Sequence, residues 1–195
     1  MDTNGEDLVQ DSIINGYLII SKLEAARRQL DSAIFLYFEE NDPVSIHTLT
    51  AAAYNILRDI SAKRDLSPMM VKGFFLQCIK PEYKIEMSVE INDAENFFKH
   101  ANRDPERIMK FNPAKTDILI MDACLRYHEI TSERHPRFFL FHIWYMLNFP
   151  HHFILTPEIE EYMEKYKHYI INGRKLFFSD FLPIVSELIT KGVLK

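Results

Sequence analysis

The chain has 195 residues and a formal charge of −5; 47% of its residues are hydrophobic and only five are glycine. This composition excludes a disordered or fibrous protein and is sufficient for a domain with a buried core. The net charge argues against a general nucleic-acid coat or a polybasic membrane binder, although local basic patches stay open.

The first part of the chain predicts a helical hairpin. Residues 1 to about 20 are expected to form an N-terminal arm, in which Ile13 to Ile20 fits either a strand or a helix. A capping box, Ser21 to Glu24, starts a helix that runs from Lys22 to about Glu40. Asp42-Pro43 starts the next helix directly afterwards, and so short a link favours an antiparallel pair.

Start signals and apolar periodicity predict six further helices. The first three run from Ser67-Pro68 to about Pro81, then to about Asn102, and then from Asn112-Pro113 to His128. The last three run from Arg134 to Leu147, from Thr156-Pro157 to Ile171, and from Ser179-Asp180 onward.

These elements predict an all-α protein, a helical bundle with an antiparallel hairpin core and additional C-terminal helices. No Gly/Ser-rich or Pro-rich linker interrupts the pattern, so we expect a single domain over 1–195. Within it, residues 1–20 would be the arm, 21–130 the bundle, and 131–195 the C-terminal helices packed on the bundle.

Several features indicate a cytoplasmic protein. Cys78 and Cys124 lie in apolar helical contexts without CxxC spacing, which is typical of buried, reduced thiols. The first residues are acidic, unlike the basic start of a signal peptide. The most apolar run, Phe138 to Leu147, is about half of the roughly 20 residues that span a bilayer, so no membrane segment is expected.

The stretch from Glu95 to His100 is the most informative for function. Helical spacing places Asn96 and His100 on one face, with Lys99 beside them. An Asn, a Lys and a His can together bind a phosphate oxygen, orient a hydroxyl and transfer a proton near neutral pH. Those abilities are what RNA cleavage by a 2′-hydroxyl requires, which makes His100, Asn96 and Lys99 candidate catalytic residues.

A group of cations follows this stretch and predicts an RNA- or phosphate-binding patch. Its members are Arg103, Arg107, Lys110 and Lys115, interspersed with the acids Asp104, Glu106 and Asp117. A mildly basic patch of this kind can face a phosphate backbone. The competing interpretation is an ordinary helix end, because Lys and His complement the dipole at a helix C-terminus and Asn-Arg-Asp-Pro is a stop signal.

The chain resembles a known group of proteins in three segments. These are Leu23-Glu24-Ala25-Ala26-Arg27-Arg28-Gln29-Leu30-Asp31, then Asp42-Pro43-Val44-Ser45-Ile46-His47-Thr48-Leu49, and Asn96-Phe97-Phe98-Lys99-His100. They are similar to uncharacterised bacterial all-helical proteins. More distantly, residues 21 to 130 resemble the HEPN superfamily, helical bundles whose ribonuclease members carry an Arg, often followed by Asn, and a His four to six residues beyond the Arg.

The resemblance implies a bundle and a homodimer with paired motifs more than it implies the ribonuclease activity. Asn96 matches the polar residue of the motif and His100 matches the His, but Glu95 stands in place of the Arg. Ribonuclease members use that Arg to hold the scissile phosphate, which a carboxylate would repel. Lys99 or Arg103 would have to substitute, and neither matches the motif.

Other histidines offer weaker alternatives. Arg137 and His142 have the family spacing, but Phe138 replaces the polar neighbour within the most apolar run. His47 is expected to pair with Asp31 or Glu24 across the hairpin, as a catalytic pair or a structural bridge. The adjacent pair His151-His152 is interpreted as part of a loop, because no metal-ligand pattern surrounds it.

The sequence lacks the glycine-rich and metal-binding motifs that would indicate nucleotide, dinucleotide or zinc chemistry, so we expect no cofactor and no metal. Two functions are carried forward. The first is a non-catalytic interaction module that binds protein or RNA through the face around Asn96, Lys99 and His100. The alternative is a metal-independent ribonuclease, a toxin or phage-defence effector, with His100 as general acid/base, Asn96 orienting, and Lys99 or Arg103 holding phosphate.

Overall fold

The computed structural model describes residues 13–14, 16–74, 84–102, 104–152 and 157–194. Within these ranges the all-α prediction is confirmed. The seven α-helices of the described ranges are α1 (Lys22–Phe38), α2 (Pro43–Lys63), α3 (Lys84–Lys99), α4 (Lys115–Thr131), α5 (Pro136–Asn148), α6 (Pro157–Tyr166) and α7 (Arg174–Thr190). No helix in the described part of the chain is both long and apolar enough to cross a bilayer.

The α1–α2 hairpin forms from local signals, as predicted. Ser21 Oγ accepts a hydrogen bond from Glu24 N at 3.0 Å, and the Asp42 carboxylate accepts one from Ser45 N at 2.8 Å. Helix α1 ends at Phe38, slightly before the predicted Glu40, which adopts a left-handed conformation with φ 57° in the link.

Aromatic packing joins the C-terminal helices to this hairpin. Phe38 at the end of α1 is fully buried, and its ring centroid lies 5.8 Å from that of Trp144 on α5 and 4.8 Å from that of Phe178 on α7. Helix α4 packs on α2 and contacts α1, and α3 packs on the outer side of α2. The candidate site lies at the C-terminal end of α3, outside this aromatic core.

A π-helical turn, Met70–Phe74, replaces the first part of the α-helix predicted to start at Ser67-Pro68. The start signal is overridden because Asp122 on α4, rather than Ser67, caps the turn: its carboxylate accepts from Met70 N at 3.1 Å and from Val71 N at 2.9 Å. The predicted end near Pro81 and the thiol of Cys78 lie outside the described residues.

The predicted start of the last helix is wrong. Helix α7 begins at Arg174, directly after Gly173, whose φ is 88°, and runs through Ser179 and Asp180. Ser179 Oγ donates to Leu176 O at 3.0 Å, so this side chain bonds within the helix instead of capping it. Burial of the preceding phenylalanines, Phe177 and Phe178, stabilises the additional turn.

Two further outcomes concern the N-terminal arm and helix α6. Within the segment left open as strand or helix, Ile13–Ile14 pairs antiparallel with Tyr17–Leu18 through a turn at Gly16, whose φ is 82°. The rest of the predicted arm, residues 1–12, lies outside the described residues. Helix α6 ends at Tyr166, and a 3-10 turn, Lys167–Ile170, covers the remainder of the helix predicted to reach Ile171.

A partly buried carboxylate connects α4 to α1 and makes stability depend on pH. Asp117 accepts a hydrogen bond from Tyr37 Oη at 3.2 Å. Burial raises the pKa of Asp117 to about 6, although Tyr37 and Arg174 favour its charged form. The native state therefore holds this proton more tightly than the unfolded chain, and the free energy of unfolding should fall as the pH rises from about 4 to about 6.

We expect Asp117→Asn to remove this fall in the free energy of unfolding between about pH 4 and pH 6. The neutral amide still accepts from Tyr37, so at pH 7.5 the variant should be more stable than the wild type by up to about 3 kcal/mol, the value of about two pKa units. Near pH 4 the two proteins should differ little. Urea unfolding at both pH values measures this, and parallel pH profiles would contradict it.

Candidate functional site

An open cavity at the C-terminal end of α3 contains several of the predicted site residues. Its volume is about 570 Å³, and it is lined by Val89, Asp93, Asn96, Phe97, His100, Asn102, Asp104 and Arg107. The backbone N–H of His100 donates to Asn96 O at 3.0 Å, so the two residues are one helical turn apart and both are exposed. Thus Asn96, His100 and Arg107 share one cavity.

Arg107 is held in this cavity by acids of the same chain. Its guanidinium donates to both carboxylate oxygens of Asp93, at 2.9 and 2.7 Å, and lies 3.6 Å from the Asp104 carboxylate. The hydrogen bonds from Arg107 hold the pKa of Asp93 below its usual value. The guanidinium also lies 5.5 Å from the centroid of the Phe97 ring. Arg107 is therefore already paired before any phosphate could reach it.

The other predicted cations do not join Arg107. Lys99 Nζ donates to Glu95 Oε1 at 2.8 Å, and Lys99 does not line the cavity. Lys110 and Lys115 line a neighbouring cavity together with His47. Arg103 lies outside the described residues. In the described part of the chain, the predicted cations therefore do not form one basic patch: Arg107 lines one cavity, and Lys110 and Lys115 line another.

Glu95, the residue in place of the motif's Arg, is a buried structural acid. Lys72, whose side chain is only 3% exposed, donates to Glu95 Oε2 at 2.6 Å, and Asn55 Nδ2 donates to Glu95 Oε1. Burial raises the pKa of Glu95, but the hydrogen bonds from Lys72 and Lys99 outweigh it and leave the pKa below its usual value. The ionised Glu95 carboxylate therefore connects α3 to Asn55 on α2 and to Lys72 in the π-helical turn.

The Arg137 and His142 side chains, which have the spacing of the HEPN motif, do not share a cavity in the described part of the chain. Arg137 donates to Asp31 Oδ2 at 2.6 Å and lies 5.3 Å from the centroid of the Phe35 ring, on α1. His142 instead lines a cavity of about 250 Å³ beside Cys124 on α4, where burial lowers its pKa. Arg137 and His142 are five residues apart on α5, so their side chains point about 140° apart around the helix axis and contact different neighbours.

The expected pairing of His47 with Asp31 or Glu24 is wrong. His47 Nδ1 lies 2.9 Å from Thr116 Oγ1 at the start of α4, because His47 is on the side of α2 that packs against α4. Glu24 binds Arg27 and Arg28 on its own helix. Of the predicted loop pair, His152 contacts Tyr145 Oη through Nδ1 at 2.9 Å.

The sequence analysis did not identify two residues that pair with the candidate site residues. Asp93 binds Arg107, and the buried Lys72 binds Glu95. Asp93 and Lys72 are spatial partners brought by other turns of the chain, and helical spacing alone gives no signal for them. Among the described residues, no three His, Cys, Asp or Glu side chains converge in a way that could hold a metal ion.

Comparison of the chain with protein-family models, with curated proteins and with solved structures found no match in any of the three.

Proposed function

We propose that this chain is a non-catalytic interaction module that binds protein through the face around Asn96, Lys99 and His100. One observation carries the proposal: two of the predicted cations that the structure describes are neutralised within the chain, Arg107 by Asp93 and Lys99 by Glu95. A phosphate would have to displace the two-bond Arg107–Asp93 pair and would approach two carboxylates. That arrangement disfavours RNA as the partner.

Exposed apolar side chains beside the same cavity support a protein partner. Ile108, next to Arg107 in the chain, is 94% exposed, and Val89 in the cavity wall is 62% exposed. The cavity wall that contains Val89 also carries the charged and amide groups of Asp93, Asn96 and Arg107. Apolar residues surrounded by polar groups are typical of protein–protein contact surfaces.

The partner we name is a second copy of the chain. An all-α bundle built on an α1–α2 hairpin supports the HEPN-like interpretation, which carries with it a bacterial source and a homodimer with paired motifs. A two-fold contact through this face would place Ile108 of both protomers at the interface. The buried free thiol of Cys124 supports the cytoplasm as the compartment.

The second candidate is the metal-independent ribonuclease. The observation in its favour is that Asn96, His100 and Arg107 line one open cavity. In that reaction His100 would exchange a proton with the 2′-hydroxyl, Asn96 would orient the substrate, and Arg107 would hold the phosphate after release from Asp93.

Sedimentation velocity over a range of concentrations tests the homodimer. We expect the wild type to sediment as a dimer and Ile108→Asp to sediment as a monomer, because the new carboxylate would be buried in the contact. Ile171→Asp is the matched control, since Ile171 is 80% exposed and far along the chain from the site. It should remain a dimer.

A wild type that is monomeric at every concentration would overturn the homodimer, and with it the only protein partner named. A dimer unaffected by Ile108→Asp would place the contact elsewhere and would equally contradict the proposal.

A further inference from the structure

A second cavity, which shares Asp93 with the one that contains His100, lies where α2, α3, α4 and the loop before α4 meet. Its volume is about 380 Å³, within the range of small-molecule sites. Most of its wall is apolar, made by Val71, Ala94, Met109, Phe111, Ile118 and Leu119. Its polar residues are His47, Asp93, Lys110, Asn112 and Lys115.

His47 gives this cavity an unused buried polar group. The residue is only 3% exposed, and its ring centroid lies 5.8 Å from that of Phe98 and 5.2 Å from that of Phe111. Nδ1 contacts Thr116 Oγ1 at 2.9 Å, whereas Nε2 has no hydrogen-bond partner among the described residues. Buried ring nitrogens normally have a partner, so Nε2 lacks the hydrogen bond that its burial calls for.

The protonation state of His47 favours a ligand that accepts a hydrogen bond. Burial lowers the pKa of His47 to about 4, and the charges of Lys72 and Lys99 oppose that of Glu95, so the imidazole is neutral at pH 7. When the Thr116 hydroxyl donates to Nδ1, the single ring proton is on Nε2. A neutral His47 in this tautomer donates to a carboxylate oxygen.

The charge at the rim of the cavity is positive. Lys110 and Lys115 are exposed there, and α4 begins at Lys115 with no side-chain cap from the described residues. The helix dipole adds partial positive charge at the same end. Asp93 is the acid in the wall, and Arg107 offsets its charge through two hydrogen bonds.

We propose that this cavity binds a small organic carboxylate with an apolar body. The body would lie against Met109, Phe111 and Ile118, and the carboxylate would lie between the two lysines and the start of α4. His47 would supply the inner hydrogen bond through Nε2–H. Two lysines without an arginine suit a single carboxylate better than a phosphate, for which bidentate arginines are the usual ligands.

The test is an NMR titration with 4-phenylbutyrate, using its amide and its amine as matched probes. The ¹⁵N signals of the His47 ring and the backbone amides around the cavity report binding. We expect 4-phenylbutyrate to shift both sets of signals until they saturate. Its affinity should be about tenfold or more above that of the neutral amide, and the amine should bind most weakly.

Two variants identify the site. Lys110→Glu, on an exposed residue, should weaken 4-phenylbutyrate about tenfold and leave the amide unchanged, while Lys22→Glu at the start of α1 should change neither. His47→Phe should abolish the preference for the carboxylate. Equal affinities for the three probes, shifts outside the cavity, or a Lys110→Glu variant that binds like the wild type would overturn the proposal. None of these outcomes bears on protein binding through the α3 face.

Discussion

Glu95→Ala is expected to destabilise the protein by about 3–5 kcal/mol, the usual cost of removing one partner of a buried ion pair. The substitution leaves the Lys72 ammonium buried without its carboxylate, and it also removes the acceptor of Asn55 and Lys99. Urea unfolding at pH 7, followed by circular dichroism, measures the loss.

Lys99→Ala is the matched control, because Lys99 pairs with the same carboxylate from an exposed position. Its cost should be about 1 kcal/mol or less. The double variant Glu95→Leu, Lys72→Met should recover much of the stability, since apolar groups of similar volume replace both buried charges. A Glu95→Ala variant as stable as Lys99→Ala would show that the buried pair does not hold α3 in place.

The same buried pair makes position 95 unsuitable for an arginine. An Arg at this position would bring a second cation next to Lys72, so Glu95→Arg should destabilise the fold at least as much as Glu95→Ala. Glu95 therefore has a structural role, and a phosphate-binding Arg at this position would require further changes around Lys72.

Asp122→Ala is expected to destabilise the protein by about 4 kcal/mol. The Asp122 carboxylate accepts hydrogen bonds from Tyr54 Oη at 2.5 Å, Met70 N at 3.1 Å and Val71 N at 2.9 Å. Alanine leaves one buried and two partly buried donors without an acceptor, each at about 1–3 kcal/mol, with partial relief if the turn opens to water. Urea unfolding gives the total cost.

Hydrogen exchange shows where that cost arises. The amides of Met70 and Val71 should lose protection in Asp122→Ala before the core helices do, because the π-helical turn loses its cap. Asp59→Ala is the matched control, since Asp59 is an exposed acid on α2. A variant of Asp122 that unfolds like the Asp59 variant would mean that the turn is held by other contacts.

The sequence predicted the elements whose signals are local. The capping box at Ser21 and the Asp42-Pro43 pair each lie within one turn of the residues they affect, so α1 and α2 start where expected. The start at Ser67-Pro68 failed because Asp122 supplies the cap from another helix. The start at Ser179 failed because burial of Phe178 against Phe38 outweighs a local signal.

The candidate site divides in the same way. Helical spacing placed Asn96 and His100 together, since only one turn of α3 separates them. The pairing of Arg107 with Asp93 and of Lys72 with Glu95 depends on how distant segments pack, which one-dimensional spacing does not specify. The density of cations along the loop therefore predicted a basic patch that the described residues do not form. Arg107 and Lys99 pair with acids, and Lys110 and Lys115 line a different cavity.

We propose that the cavity around His100 has no catalytic function. The most direct test is to incubate a mixed pool of labelled RNAs, in EDTA, with wild type and with His100→Ala prepared identically. We predict that neither protein cleaves the pool above background, because Arg107 is paired with Asp93 and no free cation accompanies it among the described residues of the cavity. Cleavage by the wild type that is lost in His100→Ala would contradict the claim and establish a ribonuclease.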